Sequence, residues 1–402
     1  MERSTLPYGS QLVVRRDAAV ATVAIELWFR APSTGFETPT PGLAKYAATA
    51  IAASKLGTSP ALDKVIKNVG GRFAISAYPD AVAIAASVPS GSEGTVIKAL
   101  TTAYFTPVIT QQGMRSGLLD VVIASTQARF DVEQTLRDSV FGLLFKSGPA
   151  HYATGPQTAG SLGQVSLATL QSFAGKAFRS SNSVLTVAGN TRANIPSLMA
   201  GGRADGTPEL APVDSTPASA PETATRVFSE DGVGLGWLGP AIADNKAATA
   251  MDFISDYLFR ADTGLVARAA DAAAPDVYLS GQFVTLHNPG VMLVEIAGKQ
   301  TPLVRARVLA AIEKMRTPLA AAEFAAARSA FEYHILSDSQ TPLNQADNFG
   351  WYTIEGDAAY APSDEGRKYL QTASSLDAAY VAQTVVHYLN APAVVELKGS
   401  NK

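Results

Sequence analysis

Apolar and polar residues alternate in short runs in both halves of the chain, a spacing that is typical of half-buried β-strands. In the first half these runs cover residues 11–15, 20–29, 72–78, 81–88 and 184–188. In the second half they cover residues 226–228, 233–238, 277–286, 290–296 and 393–397. Turn residues separate the third and fourth runs of each half, Pro79-Asp80 first and Asn288-Pro289-Gly290 later. Each half is therefore predicted to contain a β-hairpin.

Ala-rich stretches with helical spacing of apolar residues lie between these runs and predict helices. They cover residues 42–55, 62–68, 93–144, 167–173, 246–259, 301–352 and 376–389. Thr301-Pro302 supplies an N-cap followed by a proline in the first turn. Both halves follow the order β-β-α-α-β-β-α-α-α-α-β. This order predicts an α+β fold with two homologous lobes, each a mostly antiparallel sheet covered by helices.

The segment between the halves is rich in proline, alanine, serine and threonine. It contains Pro208, Pro212, Pro217 and Pro221 and few apolar residues to bury. Because proline fixes φ and removes a backbone donor, residues 201–225 are predicted to form a semi-extended linker. The predicted domains are an N-terminal lobe at 1–200 and a C-terminal lobe at 226–402.

Composition excludes several classes of function. The 402 residues are 47% hydrophobic and 17% charged, with a net charge of −3 and no block of like charges. Nucleic acid is therefore not expected as a partner. The absence of cysteine excludes disulfides, thiolate nucleophiles and Cys-ligated metal. No apolar run approaches the roughly 18–20 residues of a membrane span, so we expect a soluble chain without a transmembrane segment.

Several short motifs resemble the pitrilysin/insulinase family of metallopeptidases. Leu6-Pro7-Tyr8-Gly9 resembles the opening L-P-N-G of that family, and Pro41-Gly42-Leu43-Ala44 resembles the lead into its inverted zinc helix. Further matches in order and spacing are Gly57-Thr58-Ser59, Val69-Gly70-Gly71-Arg72-Phe73 and the segment 183–190. The resemblance covers nearly the whole chain and implies the two-lobed fold of that family.

The zinc helix of this family carries H-x-x-E-H, and here the motif is replaced by Lys45-Tyr46-Ala47-Ala48-Thr49. The chemistry needs two imidazoles at i and i+4 and a carboxylate that moves a proton. A lysine ammonium donates no lone pair to zinc, a threonine hydroxyl is a poor ligand, and Ala48 carries no proton. The family's last ligand is a glutamate about 75 residues further on. That region is 121–127, around Ala124, and it holds no carboxylate.

No other catalytic or metal motif replaces the lost one. The four histidines are distant in sequence and none pairs at i, i+4; they are His151, His287, His334 and His387. There is no G-x-S-x-G elbow, and the glycines around 90–94 lack a P-loop lysine. We therefore expect no metal and no cofactor in this chain, and zinc only in a partner subunit.

In two-chain members of the family, the subunit without zinc supplies an arginine and a tyrosine from its C-terminal half. The resemblance places that tyrosine at Tyr278, at the start of a strand, and the arginine at Gly264. Arg260 or Arg268 replaces the missing arginine only if the helix register shifts. Tyr278 and Arg268 are therefore the candidate substrate-binding residues. The alternatives are a strand-edge aromatic for Tyr278 and a solvated helix cation for Arg268.

The resemblance implies a non-catalytic subunit that pairs with a zinc-bearing homologue, closes the chamber and binds unfolded peptides. Such a chain is not active alone. One alternative is a structural core subunit of a respiratory cytochrome bc complex, and another is a self-associating homodimer that only binds peptides. The bacterial periplasm or cytoplasm is the expected location. The matrix side of the mitochondrial inner membrane is the location under the cytochrome bc alternative.

Overall fold

The computed structural model describes residues 1–6, 8–55, 60–152, 159–199, 210–355 and 365–400. The strands are β1 (Glu2–Thr5), β2 (Gln11–Arg16), β3 (Thr22–Arg30), β4 (Arg72–Ala77), β5 (Ala81–Pro89), β6 (Phe145–Ser147), β7 (Ser183–Gly189), β8 (Thr216–Pro217), β9 (Thr223–Phe228), β10 (Gly232–Leu238), β11 (Tyr278–Val284), β12 (Val291–Ala297) and β13 (Ala393–Gly399). The helices are α1 (Leu43–Ala53), α2 (Leu62–Asn68), α3 (Glu93–Phe105), α4 (Gln111–Ala128), α5 (Val132–Leu144), α6 (Ala159–Leu162), α7 (Leu167–Ala177), α8 (Ile195–Leu198), α9 (Asn245–Phe259), α10 (Leu265–Ala273), α11 (Thr301–Lys314), α12 (Ala321–Asp338), α13 (Pro342–Glu355), α14 (Glu365–Ser375) and α15 (Ala378–Tyr388).

Two large sheets share one topology. Sheet 1 has the strand order β1-β2-β7-β3-β5-β4, and sheet 2 has the order β11-β12-β10-β13-β9. The pairs β2–β7 and β13–β9 are parallel, and the other pairs are antiparallel. Reversing the second order superposes β9, β13, β10, β12 and β11 on β2, β7, β3, β5 and β4. The predicted α+β fold with two homologous, mostly antiparallel lobes is confirmed.

The chain forms two compact units that are not continuous in sequence. Unit 1 consists of Met1–Thr126, Thr154–Val213 and Asp338–Glu365. Unit 2 consists of Gln127–Ala153, Asp214–Ser337 and Gly366–Lys402. Each unit thus includes a helix from the other half of the chain, α13 in unit 1 and α5 in unit 2. The predicted lobe boundaries at 1–200 and 226–402 stay a prediction about the sequence halves, and the compact units cross them.

The predicted linker at 201–225 lies partly outside the described residues. Within its described part, β8 pairs with β6, and β9 begins at Thr223. Both strands belong to unit 2. The C-terminal part of this segment therefore contains regular structure in addition to the extended conformation that its prolines favour.

In unit 1, the central strand β3 of sheet 1 is buried on both faces. Val23, Ile25, Leu27 and Phe29 point into a core shared with α1, α2, α3 and α7. The opposite face, which includes Trp28, packs against α13. Gly350 of α13 faces the Trp28 indole so closely that a Cβ there would collide with it.

In unit 2, the face of sheet 2 that corresponds to the Trp28 face of sheet 1 carries three glycines in a row on β10. Gly232, Gly234 and Gly236 project no side chain, and α5 occupies the space above them. The α5 residues that would meet an added Cβ are Val132, Leu136, Val140 and Leu144, spaced four apart. The helix therefore packs one apolar ridge directly onto the backbone of β10.

Some details of the predicted elements differ from the observed ones. The predicted helical run at 93–144 is three helices, with breaks before Gln111 and before Val132. Pro107 lies in the first break, where it lacks the backbone donor a helix needs. Helix α10 was not predicted, and neither was the outer strand β1. Among the described helices, none is long and apolar enough to cross a membrane.

Candidate functional site

The predicted zinc positions lie on α1, which begins after Gly42 with its φ of 81°. Lys45 and Thr49 are half-buried on one helix face. Ala48, the residue before Thr49, is completely buried. The fold therefore keeps the helix that the resemblance implied, while its functional positions carry an ammonium, a methyl group and a hydroxyl.

The hydroxyl groups around this helix are used in backbone hydrogen bonds. Thr49 Oγ1 donates to the carbonyl of Lys45 at 2.9 Å. The buried Tyr104 donates to the carbonyl of Ala48 at 2.9 Å, and Tyr46 donates to that of Met114 at 3.3 Å. These bonds satisfy polar groups that would otherwise be buried without a partner. They make this region a packed structural contact.

Helix α4, which carries Ala124, approaches the backbone of α1 through two glycines. A Cβ on Gly113 would lie 2.6 Å from the carbonyl oxygen of Ala50, and one on Gly117 would lie 2.9 Å from its nitrogen. A glycine inside a helix lowers helix stability by roughly 1 kcal/mol relative to alanine. The close approach of the two helices, which leaves no space for a Cβ, accounts for glycine at both positions. Ala124 is half-buried on this helix and brings no ligand atom.

The residues present do not fit a zinc ion. Burial lowers the pKa of the Lys45 ammonium, and the charge of Asp120 on α4 opposes that shift. A cation beside the site disfavours a second one, and the neutral Thr49 hydroxyl is a poor ligand for zinc. Among the described residues, no three His, Asp or Glu side chains are grouped as a metal site requires. The absence of zinc and of any cofactor in the protein stays a prediction.

Tyr278 is the first residue of β11, the edge strand of sheet 2, and it is 40% exposed. Its hydroxyl forms a hydrogen bond with Glu133 at the start of α5. Burial, together with the bond to Glu133, raises the pKa of Tyr278 to about 12. The phenol is therefore protonated at physiological pH and is held in place by a carboxylate.

A buried ion pair lies beside Tyr278, and the sequence reasoning missed it. Arg137 of α5 contacts Glu295 of β12 at 3.2 Å, and the Glu295 side chain has no exposed surface. Burial raises the pKa of the Glu295 carboxyl, and Arg137 partly offsets that effect. Ser280 lies directly opposite Glu295 in the β11–β12 register. The available signal was a single glutamate inside the apolar run Val-Met-Leu-Val-Glu-Ile-Ala.

Arg268 and Tyr278 have different neighbours. Arg268 is exposed on α10, and its charge acts on Tyr257, which donates to Glu323 at 2.7 Å. At Gly264, where the resemblance placed the arginine, a Cβ would lie 2.6–2.7 Å from backbone atoms of Arg260 and Leu258. No larger side chain fits at that position. Substrate-binding roles for Tyr278 and Arg268 stay a prediction.

A second cluster of polar groups lies among the helices of unit 2. Asp252 accepts a hydrogen bond from Tyr369 at 2.7 Å, and burial raises the pKa of Asp252 to about 7. One turn later, Asp256 contacts the buried ring of His334 at 2.9 Å. His334 is therefore a histidine with a carboxylate partner inside unit 2.

A third group, also missed from the sequence, lies in unit 1 between sheet 1 and α13. It comprises the buried Glu26, the half-buried Asp347 and the aromatic rings of Trp28, Tyr78 and Trp351. The signal was the glutamate in Val-Ala-Ile-Glu-Leu-Trp-Phe, a strand that is apolar on both faces. A lone carboxylate in such a strand is expected to be buried when both faces are covered.

No family model matches the sequence, and no curated protein matches it. Solved structures do match over nearly the whole chain. A protease from Helicobacter pylori has a TM-score of 0.84 and 15% identity, covering 99% of both chains. A peptidase M16 inactive domain from Pseudomonas fluorescens has a TM-score of 0.82 and 15% identity, covering 98% of this chain and 97% of that one.

A chain of complex III2 from Candida albicans matches with a TM-score of 0.79 and 11% identity, covering 98% of this chain and 94% of that one. At such low identity these likenesses show the fold alone. The neighbours match the family that the sequence motifs resemble, and the chain has an M16-like fold.

Proposed function

We propose that this chain is the non-catalytic subunit of a zinc metallopeptidase heterodimer. The observation that carries the proposal is a complete M16-like fold whose zinc positions hold Lys45, Ala48 and Thr49. One of the similar structures is itself described as an inactive domain. The role of such a subunit is to close the chamber and hold the peptide while a zinc-bearing homologue cleaves it.

Peptide binding is supported by the edge strands β4 and β11, which end their sheets within the described residues. An edge strand leaves backbone N–H and C=O groups for another strand, and an extended peptide can use them with little sequence preference. Along β4 every second residue is exposed, beginning with Arg72. Tyr278 lies at the start of β11 and is 40% exposed.

The direct test mixes this chain with a zinc-bearing homologue and measures cleavage of a quenched fluorescent peptide. Cleavage is expected only in the mixture. Tyr278→Phe is expected to lower kcat roughly 10-fold or more, because a positioned hydroxyl donor is lost. Tyr333→Phe removes a hydroxyl from another exposed tyrosine and serves as the control, since Tyr333 is 66% exposed.

Two results contradict this proposal. Full activity of the zinc-bearing chain alone excludes a required subunit, and stoichiometric zinc in the purified chain excludes a lost metal site. Unchanged cleavage by Tyr278→Phe removes only the role given to Tyr278.

A second candidate is a structural core subunit of a respiratory cytochrome bc complex, and it is favoured by the likeness to the complex III2 chain. Under this function, the chain copurifies with cytochromes and an iron–sulfur protein from native membranes. A tagged chain that captures a zinc-bearing homologue and no cytochrome supports the first candidate instead.

A further inference from the structure

Glu26 is a carboxylate enclosed between sheet 1 and α13. It lies in the middle of β3 and is only 2% exposed. Its Oε2 accepts a hydrogen bond from Trp28 Nε1 at 3.0 Å. Neighbouring contacts are tight, because Ala346 and Gly350 of α13 lie against Ala24 and Trp28. A charged Glu26 would therefore have little access to water.

The titratable groups that face Glu26 are acidic. From α13 comes Asp347, and from the end of β4 comes Tyr78, whose pKa is raised by burial and by both carboxylates. Strand β7 contributes Thr186, which donates to the carbonyl of Ala346 at 3.0 Å. Strand β5 brings only alanine opposite Glu26, at Ala85.

Two arginines do contact α13, but at its far end. Arg30 donates to the carbonyl of Ile354 at 2.9 Å, and Arg3 donates to the Thr353 hydroxyl at 3.5 Å. Both contacts suit the negative end of the helix dipole. Neither Glu26 nor Asp347 forms an ion pair with a cation among the described residues.

Two carboxylates at close range in a poorly solvated site do not both ionise readily. Burial first, and then the charge of Asp347, raises the pKa of Glu26 to about 8. Burial raises the pKa of Asp347 as well. Near neutral pH the pair therefore retains a proton, and a neutral Glu26 carboxyl lies beneath α13.

In unit 2, the buried carboxylate between the sheet and its covering helix is compensated in a different way. There α5 covers sheet 2, and the buried carboxylate of Glu295 is paired with Arg137 on that helix. A guanidinium stabilises the charged form of the carboxylate and partly offsets the effect of burial on the pKa of Glu295. The two helices occupy matching positions in the duplicated fold, but of these two carboxylates only Glu295 is paired with a cation among the described residues.

We propose that a proton held by Glu26 and Asp347 keeps α13 on sheet 1, so that this helix loosens as the pH rises through neutral. The folded state binds a proton that the opened state releases, because the carboxyl is hydrated once α13 moves away. Closure is therefore favoured fully below the ordinary pKa of 4.5 and weakens progressively up to about pH 8. The full shift corresponds to a change in the closing equilibrium of up to roughly 10³-fold.

The test is hydrogen–deuterium exchange of the full chain between pH 5.5 and 9, corrected for intrinsic exchange. In the wild type, protection of 342–355 is expected to fall about 100-fold between pH 6 and 9. Protection of 132–144 in the same sample is the internal control and is expected to change less than tenfold. Glu26→Gln is expected to abolish the pH dependence of 342–355 only.

Asp347→Asn provides a second variant in case Glu26→Gln fails to fold. Removing the Asp347 charge lowers the pKa of Glu26 in the folded state, so the loss of protection is expected to be complete at a lower pH and to be smaller overall. The proposal is overturned by constant protection of α13 in the wild type, or by the same pH dependence in either variant. Equal loss of protection in 342–355 and 132–144 would indicate global unfolding and overturns it as well.

Discussion

The positions that the sequence resemblance assigns to zinc chemistry are occupied by residues that pack within the fold. Ala48 is fully buried, and its carbonyl accepts the Tyr104 hydroxyl. Thr49 turns its hydroxyl back to its own helix. Gly113 and Gly117 let α4 pack directly against the backbone of α1. These three positions are therefore part of the packing between α1 and its neighbours.

Restoring the general base at this site is expected to damage the fold. Ala48→Glu places a carboxylate at a position with no exposed surface inside the core, where the nearest cation along the helix is the half-buried Lys45, three residues earlier. We expect a loss of roughly 3–5 kcal/mol in the free energy of unfolding. Urea unfolding followed by circular dichroism measures it.

Thr49→Glu is the matched control, because it adds the same group one residue later at a half-buried position. A loss of about 1 kcal/mol is expected there. If Ala48→Glu is as stable as Thr49→Glu, the packing described for α1 is wrong.

The contact of α5 with sheet 2 depends on the absence of side chains on one face of β10. Gly232, Gly234 and Gly236 leave only backbone on this face, and the ridge of α5 fills the space. Glycine inside a strand normally weakens it. Here the alternation of glycine with Val233, Leu235 and Trp237 buries large side chains on one face and seats a helix on the other.

Gly236→Ala tests this contact. The new Cβ would collide with Val140 and would lie 2.9 Å from Leu144 Cδ1, so overpacking is expected to cost about 1–3 kcal/mol of stability. Adding Val140→Ala should recover part of that loss, and a double-mutant cycle measures the coupling. Strict additivity of the two changes would show that α5 is not seated on β10.

Alternation and turn residues were sufficient to predict most strands and both hairpins. In β3, for example, the apolar residues on both faces indicate a strand that is covered twice. The sequence did not predict which helix packs on the second face of the sheet. Helical periodicity shows that α5 and α13 each have an apolar face, but it does not show which sheet that face meets. The exchange of these helices therefore appears only in the structure.

The same limit applies to the candidate site. Tyr278 was identified through a motif, yet its partner Glu133 and the nearby pair Arg137–Glu295 come from distant segments. The members of that pair are 158 residues apart in sequence. Glu26 was visible as a lone charge in an apolar strand, but its meaning depends on Asp347, which only the fold brings close. Local patterns indicate where a charge is buried, and long-range contacts decide how it is compensated.

The molecule as a whole contains two units that each complete themselves with a helix from the other half of the chain. Residues 1–200 expressed alone therefore lack α13 and expose the face of sheet 1 that carries Trp28 and Val184. We expect this fragment to be insoluble or molten, with strong binding of a hydrophobic dye. Solubility and dye fluorescence measure the outcome.

Coexpression with 201–402 is expected to recover soluble protein. A variant of 1–200 that carries residues 338–365 through a flexible linker is the sharper control, because it restores only the missing helix. A well-folded, dye-free fragment without α13 would show that the helix is dispensable for unit 1.

The position of α13 late in the sequence also affects when unit 1 can finish folding during synthesis on the ribosome. Arg30 and Ile354, which contact each other in the finished unit, are separated by 324 residues of chain. Synthesis at about 5–20 residues per second means that sheet 1 waits tens of seconds for its second cover. During that interval the Trp28 face is open to water and to other nascent chains. Delivery of α13 late in translation makes the first lobe a natural client for a chaperone that shields apolar sheet surfaces.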